Sequence, residues 1–308
     1  MKYSVSRSIK INKSAKGVYQ VVKDFEQWKA WSPWLIMEKD ADVVIKKNDQ
    51  GLESYSWEGK LVGAGEMVML GGVENQSINY DLSFLKPFKS KAKFSFLFTD
   101  HGTSCDVTWT MDSSLPFFLF FMKKKMEAWI GMDYDRGLRM LKDHCESGVI
   151  HSKLKDYGEV VSEGFHYLGI PRKCKVSDME VDMTESFEAL MNKTQELEGV
   201  DTSKLFSIYH NLDFVKGTCE YSACVKASES TKEIQDTVKS KLSAGKSLKV
   251  GHEGPYRHIG NAWSLAYTKV RTEKLKPQKK HSPLEFYLNN PHEVSEDKIS
   301  SMIYIPIK

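Results

Sequence analysis

The chain has 308 residues, 44 Lys and Arg against 41 Asp and Glu, and 41% hydrophobic residues. That length suits about two domains of ~150 residues. With only 20 Gly and 9 Pro, the composition excludes a collagenous, linker-like or mainly disordered chain. A formal charge of +3, with both halves close to neutral, argues against the basic footprint of a nucleic-acid binder.

The first stretch, residues 3–11 (YSVSRSIKI), alternates and reads as a strand rather than a signal peptide. A cytoplasmic chain with reduced thiols is therefore expected. Asn12 or Ser14 can cap a short helix over 16–25. Trp28, Trp31 and Trp34 follow, with Pro33 interrupting any helix. Six short alternating runs come next, over 43–46, 52–60, 65–70, 77–84, 90–99 and 104–111. Together with the first strand they predict a large antiparallel sheet. The greasy run LPFFLFFM (115–122) has eight residues, far short of the ~20 that span a bilayer. It reads as the lead into a helix that docks on the sheet, or as a lid. Met122, Met126, Trp129, Ile130, Tyr134, Leu138, Leu141 and Cys145 then recur at helical spacing, a stripe about 28 residues long. Gly131 and Gly137 lie inside it, so a close approach to the sheet should compensate for their poor helix propensity. Ser147 and Gly148 end the helix, and a domain boundary is expected at 148–152.

The second half repeats one order of elements. A strand over 159–170, a helix over 179–198 and strands over 205–210 and 217–226 are followed by a strand over 247–252, a helix over 258–274 and strands over 284–288 and 299–307. Strand–helix–strand–strand thus occurs twice, which predicts a pseudo-two-fold α+β domain. The five cysteines, Cys105, Cys145, Cys174, Cys219 and Cys224, include no CxxC, so neither a zinc ribbon nor a thioredoxin motif is supported. His252, Glu253 and His258 superficially suggest a metal, but Pro255 between the histidines disfavours the single helix face a zincin needs. Nucleophile elbow, P-loop and dinucleotide motifs are missing. No metal and no cofactor are expected.

Two resemblances are carried by ordered blocks. VYQVVKDFEQWKAWSPW (18–34), GLESYSWEGKLVGAGEM (51–67) and GTSCDVTWTM (102–111) leading to MDYDRGLRMLKDHCE (132–146) resemble the START-like SRPBCC superfamily, in its polyketide-cyclase-like branch. This resemblance implies, for residues 1–148, a helix-grip antiparallel sheet wrapped on a long C-terminal helix, with an apolar cavity between them. KVGHEGPYRHIGNAWSLAY (249–267), SPLEFYLNNP (282–291) and MIYIPIK (302–308) resemble the gyrase-inhibitor-like, AraC-type effector-binding domain, over 155–308. That family implies two strand–helix–strand–strand units binding a small, often cationic or aromatic, ligand between them. Its usual buried anchor is a Glu, which is Glu285 here, with Tyr287 as the accompanying aromatic. Such domains are often fused to a helix-turn-helix reader. Here none is visible, so direct nucleic-acid binding is not expected.

Glu285 shares its strand face with Tyr287 by alternation. A carboxylate in aromatic company can pair a flat cation, or, with a raised pKa, act as an acid or base. The plain alternative is a solvated strand face. Tyr256 and Trp263 are the further candidate walls, although Trp263 also fits simple packing on its helix stripe. In the first half Trp57, Trp109 and Trp129 either line the cavity or belong to an ordinary core. The first expectation is thus a small-molecule-binding protein. A hydrolase using Glu285, with Tyr256 or Tyr287 as hydrogen-bond donor to a developing anion, is the second. The basic stretch KVRTEKLKPQKK (269–280) reads as a solvated helix end or as a docking patch for an acidic protein partner, the third.

Overall fold

The computed structural model describes residues 1–47, 49 and 51–308. The chain divides into two compact units, Met1–Ile150 and His151–Lys308.

The first unit is a seven-stranded antiparallel sheet with three helices. Its elements are β1 (Lys2–Ile11), α1 (Ala15–Lys23), α2 (Phe25–Trp31), β2 (Asp42–Lys47), β3 (Glu53–Gly59), β4 (Gly63–Gly71), β5 (Ser77–Lys86), β6 (Ser90–Asp100), β7 (Cys105–Ser114) and α3 (Lys123–Ser147). The strands meander from β2 to β7, and β1 closes on β7, giving the order β1-β7-β6-β5-β4-β3-β2. Ser14, not Asn12, caps α1, its side chain accepting from Gly17 N. Asp24 breaks the expected single helix and caps α2 by accepting from Glu26 N. The alternation of β6 and β7 turns Phe94, Phe96, Phe98, Val107, Trp109 and Met111 into the core.

Helix α3 behaves differently along its length. From Gly131 onward it buries Tyr134, Leu138, Leu141 and Cys145. Its two glycines are where it meets the sheet most closely: a Cβ at Gly131 would fall 2.1 Å from the Arg7 guanidinium, and one at Gly137 2.8 Å from the Trp109 ring. Gly148, at φ 76°, caps the helix in the left-handed conformation. The first turns do not dock. Phe118, Phe120 and Phe121 are 72%, 58% and 64% exposed, and the run 117–122 forms a 3-10 segment rather than part of the helix. The expectation that this run packs on the sheet is thereby corrected: the burial that holds α3 starts three turns later.

The second unit contains β8 (Lys153–Ser162), β9 (Phe165–Lys175), α4 (Met179–Thr194), β10 (Val200–Asp213), β11 (Thr218–Ala227), β12 (Val238–Leu242), β13 (Gly245–Glu253), α5 (Gly260–Thr272), β14 (Leu284–Tyr287) and β15 (Ser300–Ile307). The single strand expected over 159–170 is two strands, β8 and β9, and β12 gave no clear alternation. The sheet order β12-β9-β11-β10-β14-β15-β13-β8 reads the same from either edge. β9-α4-β10-β11 and β13-α5-β14-β15 are the two repeats, and the pseudo-dyad passes between β10 and β14. One sheet face carries Tyr209, Cys219, Tyr221 and Ala223, against Met179, Met183 and Phe187 of α4 and Trp263 of α5. The other face carries Phe206, Ile208 and Cys224, against Phe165, Tyr167, Leu284 and Phe286.

Candidate functional site

β10 and β14 meet at the pseudo-dyad in antiparallel register, Ser207 opposite Glu285 and Leu205 opposite Tyr287. Opposed residues in a ladder point to the same face. Glu285, Tyr287, Ser207 and Tyr209 therefore all face the helices. Glu285 is only 3% exposed. Its carboxylate accepts a 2.5 Å hydrogen bond from the indole N–H of Trp263, one turn into α5. The hydroxyls of Tyr287 and Tyr209 also support the charged form, but burial dominates and raises the Glu285 pKa. The Tyr287 hydroxyl pairs with Ser207 Oγ at 2.9 Å.

The rings around this carboxylate form an edge-to-face chain. Tyr209 meets Trp263 at 5.1 Å, Tyr256 meets Tyr287 at 5.7 Å and Phe187 of α4 meets Tyr287 at 5.2 Å. Burial, with the charge of Glu285, pushes the Tyr256 phenol up to about 12 and raises those of Tyr209 and Tyr287 well above the ordinary phenol value. All three are neutral donors at physiological pH. Tyr256, Trp263, Glu285 and Tyr287, drawn from two blocks of sequence, thus occupy one cluster. Trp263 does more than pack, since its N–H is committed to the carboxylate.

Sequence reasoning missed Tyr209, Ser207 and Phe187. The alternation of 205–209 does place Ser207 and Tyr209 on one face, but nothing local says that this strand pairs with β14. Beside the cluster, Ser301 on β15 lies opposite both Tyr287 and His252. His252 Nε2 pairs with Ser152 Oγ at 3.1 Å, and Ser152 Oγ accepts from Asn261 Nδ2 at 3.1 Å. Because the amide N–H must donate, the serine hydroxyl is free to donate to Nε2, and the histidine proton then sits on Nδ1. Nδ1 of His252 and Oγ of Ser301 are both buried without a partner. Burial, and then the neighbouring His258, lower the His252 pKa to about 4.

The candidates of the first unit do not converge in this way. Trp109 is 1% exposed and lies 3.9–6.4 Å, centroid to centroid, from Trp28, Trp31, Trp34, Phe94, Phe96 and Tyr134. Trp57 is half-buried at the edge of this cluster, against Tyr55 and Phe84. It lies flat over Gly65, where a Cβ would come within 2.3 Å of its ring. Trp129 is 48% exposed on the undocked part of α3, and so stands apart from the other two. Inside the cluster the indole N–H groups of Trp31 and Trp109 have no partner. In the basic stretch 269–280, Lys269 is only 8% exposed and is ion-paired with Asp156 and Glu273. It holds α5 to β8 and is not available to a docking partner.

Comparison with known proteins follows the same division. Residues 2–146 match the family model described as polyketide cyclase / dehydrase and lipid transport. Residues 157–308 match that of the GyrI-like small molecule binding domain. None of the curated proteins compared with the chain matches it. Among solved structures, a cryo-EM structure of an EcmrR–DNA complex is 14% identical, with 60% of this chain and 68% of that one covered at a TM-score of 0.43. The crystal structure of the EcmrR C-terminal domain is 17% identical, covering 51% of this chain and 96% of that one at 0.40. The solution structure of the Aha1 dimer from Colwellia psychrerythraea is 16% identical, covering 47% and 98% at 0.35. Among the described residues, no helix is long and apolar enough to cross a membrane. Two ordered sets of sequence blocks, two sheets of different design and two family models agree that the chain joins an N-terminal polyketide-cyclase-like SRPBCC domain to a C-terminal GyrI-like domain.

Proposed function

We propose that the C-terminal domain captures a small, flat, cationic aromatic molecule, with Glu285 as its counter-ion and Tyr209, Tyr256, Trp263 and Tyr287 as its walls. The observation that carries this reading is the state of Glu285. It is a 3% exposed carboxylate whose described bonding partners, an indole and two phenols, are all neutral. A buried charge is costly unless it is paired. A cationic ligand supplies the pair, and the surrounding ring faces and edges suit both its charge and its flat body. The protein then works as a sensor or store for such a compound.

Calorimetry with a panel of cationic aromatic dyes and their neutral analogues tests the reading. Glu285→Gln keeps the shape and the Trp263 bond but removes the charge. It should weaken the cationic dyes about 10–100-fold, the loss of one charge-assisted contact, and leave the neutral analogues unchanged. Equal dye affinity in wild type and variant would sink the anchor role.

A hydrolytic reading uses the same carboxylate as general base against a small ester or epoxide, with Tyr256 or Tyr287 donating to the developing anion. The raised Glu285 pKa favours it. It requires product formation that Glu285→Gln abolishes. For the N-terminal domain, an apolar ligand would have to enter the ring cluster around Trp109. The unpartnered indole N–H groups of Trp31 and Trp109 are the donors that a carbonyl on such a ligand would meet there.

A further inference from the structure

Five cysteines are free, and two of them face each other. Cys174 is the second-last residue of β9 and Cys219 the second residue of β11, and the antiparallel register sets them directly opposite. The register runs unbroken from Lys175 and Thr218 to His166 and Ala227, so no bulge turns one side chain away from the other. Both belong to the helix-facing cluster with Tyr209, Tyr221, Val176, Met179 and Met183. Cross-strand partners have Cα atoms about 4.5–5.5 Å apart, inside the window of about 4.4–6.8 Å that a disulfide spans. Val176 N donates to Gly217 O at 2.9 Å in the same register, so Cys174 and Cys219, two residues further along, are a hydrogen-bonded pair whose Cβ atoms, about 5.5 Å apart, must approach by about 1 Å or more to reach disulfide distance. The pair sits near the end of the β9–β11 ladder, beside the turn at Gly217. Cys174 is half-buried and Cys219 fully buried, so an oxidant reaches one sulfur first.

We infer that Cys174 and Cys219 form a redox modification site, a dithiol that a low-molecular-weight disulfide oxidises to a cross-strand disulfide beneath the first turn of α4. In the first step Cys174, after losing its proton to solvent, attacks one sulfur of the oxidant. The oxidant S–S bond breaks, one thiolate leaves, and Cys174 carries a mixed disulfide. In the second step Cys219 loses its proton and attacks the Cys174 sulfur, expelling the second thiolate. The protein gives up two electrons and two protons, and the oxidant becomes two thiols. Burial raises both thiol pKa values, that of Cys219 to about 12. Both are therefore protonated at neutral pH, and closure is slow there and faster in alkali.

The test incubates the full-length native protein with oxidised glutathione, quenches with an alkylating reagent and maps the peptides by mass spectrometry. The expected product is a Cys174–Cys219 linked peptide with both sites protected from alkylation, reversed by dithiothreitol. Its formation rate should rise about tenfold per pH unit between 7 and 8. Cys219→Ala and Cys219→Ser should stop at a glutathione adduct on Cys174, and Cys174→Ser should leave Cys219 unmodified. Melting curves of the reduced variants report that the fold is kept, and the wild-type map decides the matter without them. Native protein in which Cys174 and Cys219 are both alkylated in full after oxidation, or a link from either to a different cysteine, would overturn the proposal. So would a link that appears only in denaturant.

Discussion

The two domains bury aromatic side chains to different ends. In the first, Trp109 lies against six other aromatic rings, with no charged side chain among them. In the second, the rings of Tyr209, Tyr256, Trp263 and Tyr287 gather around a carboxylate, and a buried histidine and serine beside them each keep a polar atom unpartnered. A cluster of rings alone gains from area and edge-to-face contact. A cluster of rings around an unpaired acid gives up stability that a ligand can restore. Aromatic content therefore says little about where a ligand goes. The polar group that the rings surround says more.

This contrast can be broken in several places. Trp109→Ala should have the largest effect, removing about 3–5 kcal/mol from the N-terminal domain. Calorimetry should place that loss in one thermal transition and leave the dye affinity of the C-terminal domain unchanged; a parallel loss of dye binding would show that the domains are not independent in this respect. The second is the titration of His252, whose pKa falls from its ordinary 6.5 to about 4 on folding. Its neutral form is the folded form, so its contribution is present above pH 6.5 and is lost as the pH falls towards 4. That contribution is about 3 kcal/mol. Melting of the C-terminal domain against pH should flatten over that window in His252→Gln. Glu285 has the opposite sign: its raised pKa favours folding at low pH and the advantage is lost as the pH rises, so Glu285→Gln without ligand should melt no lower than wild type at pH 8.

Third is Lys269→Ala, which strands Asp156. With Asp156 40% exposed the cost should be about 1–2 kcal/mol, between that of a surface pair and a buried one, seen as a lower denaturant midpoint. Trp129→Ala comes last. Its side chain is half exposed, and its loss should shift stability by less than about 0.5 kcal/mol and leave ligand affinity alone.

Much of the architecture was legible because it is written in short-range periods. The alternation in 90–111 marks β6 and β7, and Gly131 and Gly137 announce the close approach of α3 to the sheet. What failed had non-local causes. LPFFLFFM is as apolar as any core segment, but its geometry leaves three phenylalanines exposed. Asp24 can act as a helix residue or as a cap, and only the packing of Phe25 and Trp28 decides for the cap. For the candidate site, the blocks holding Tyr256, Trp263, Glu285 and Tyr287 could be found in the sequence because they lie in two compact stretches. Tyr209 and Ser207 could not, because they join the site through the pairing of β10 with β14, some 80 residues apart. The Cys174–Cys219 pair is of the same kind: neither residue has a neighbour in sequence that suggests the other.

The register at the pseudo-dyad has one further consequence. The strands on its two sides are related by the repeat, but Glu285 on one faces Ser207 on the other. The centre of the sheet is therefore two-fold in strand order and one-sided in charge. A symmetric dication would set one of its centres against a hydroxyl, whereas a monocation has a single favourable heading. On the proposed reading, this register favours one monocation per chain, held in one orientation with its charge towards the second repeat.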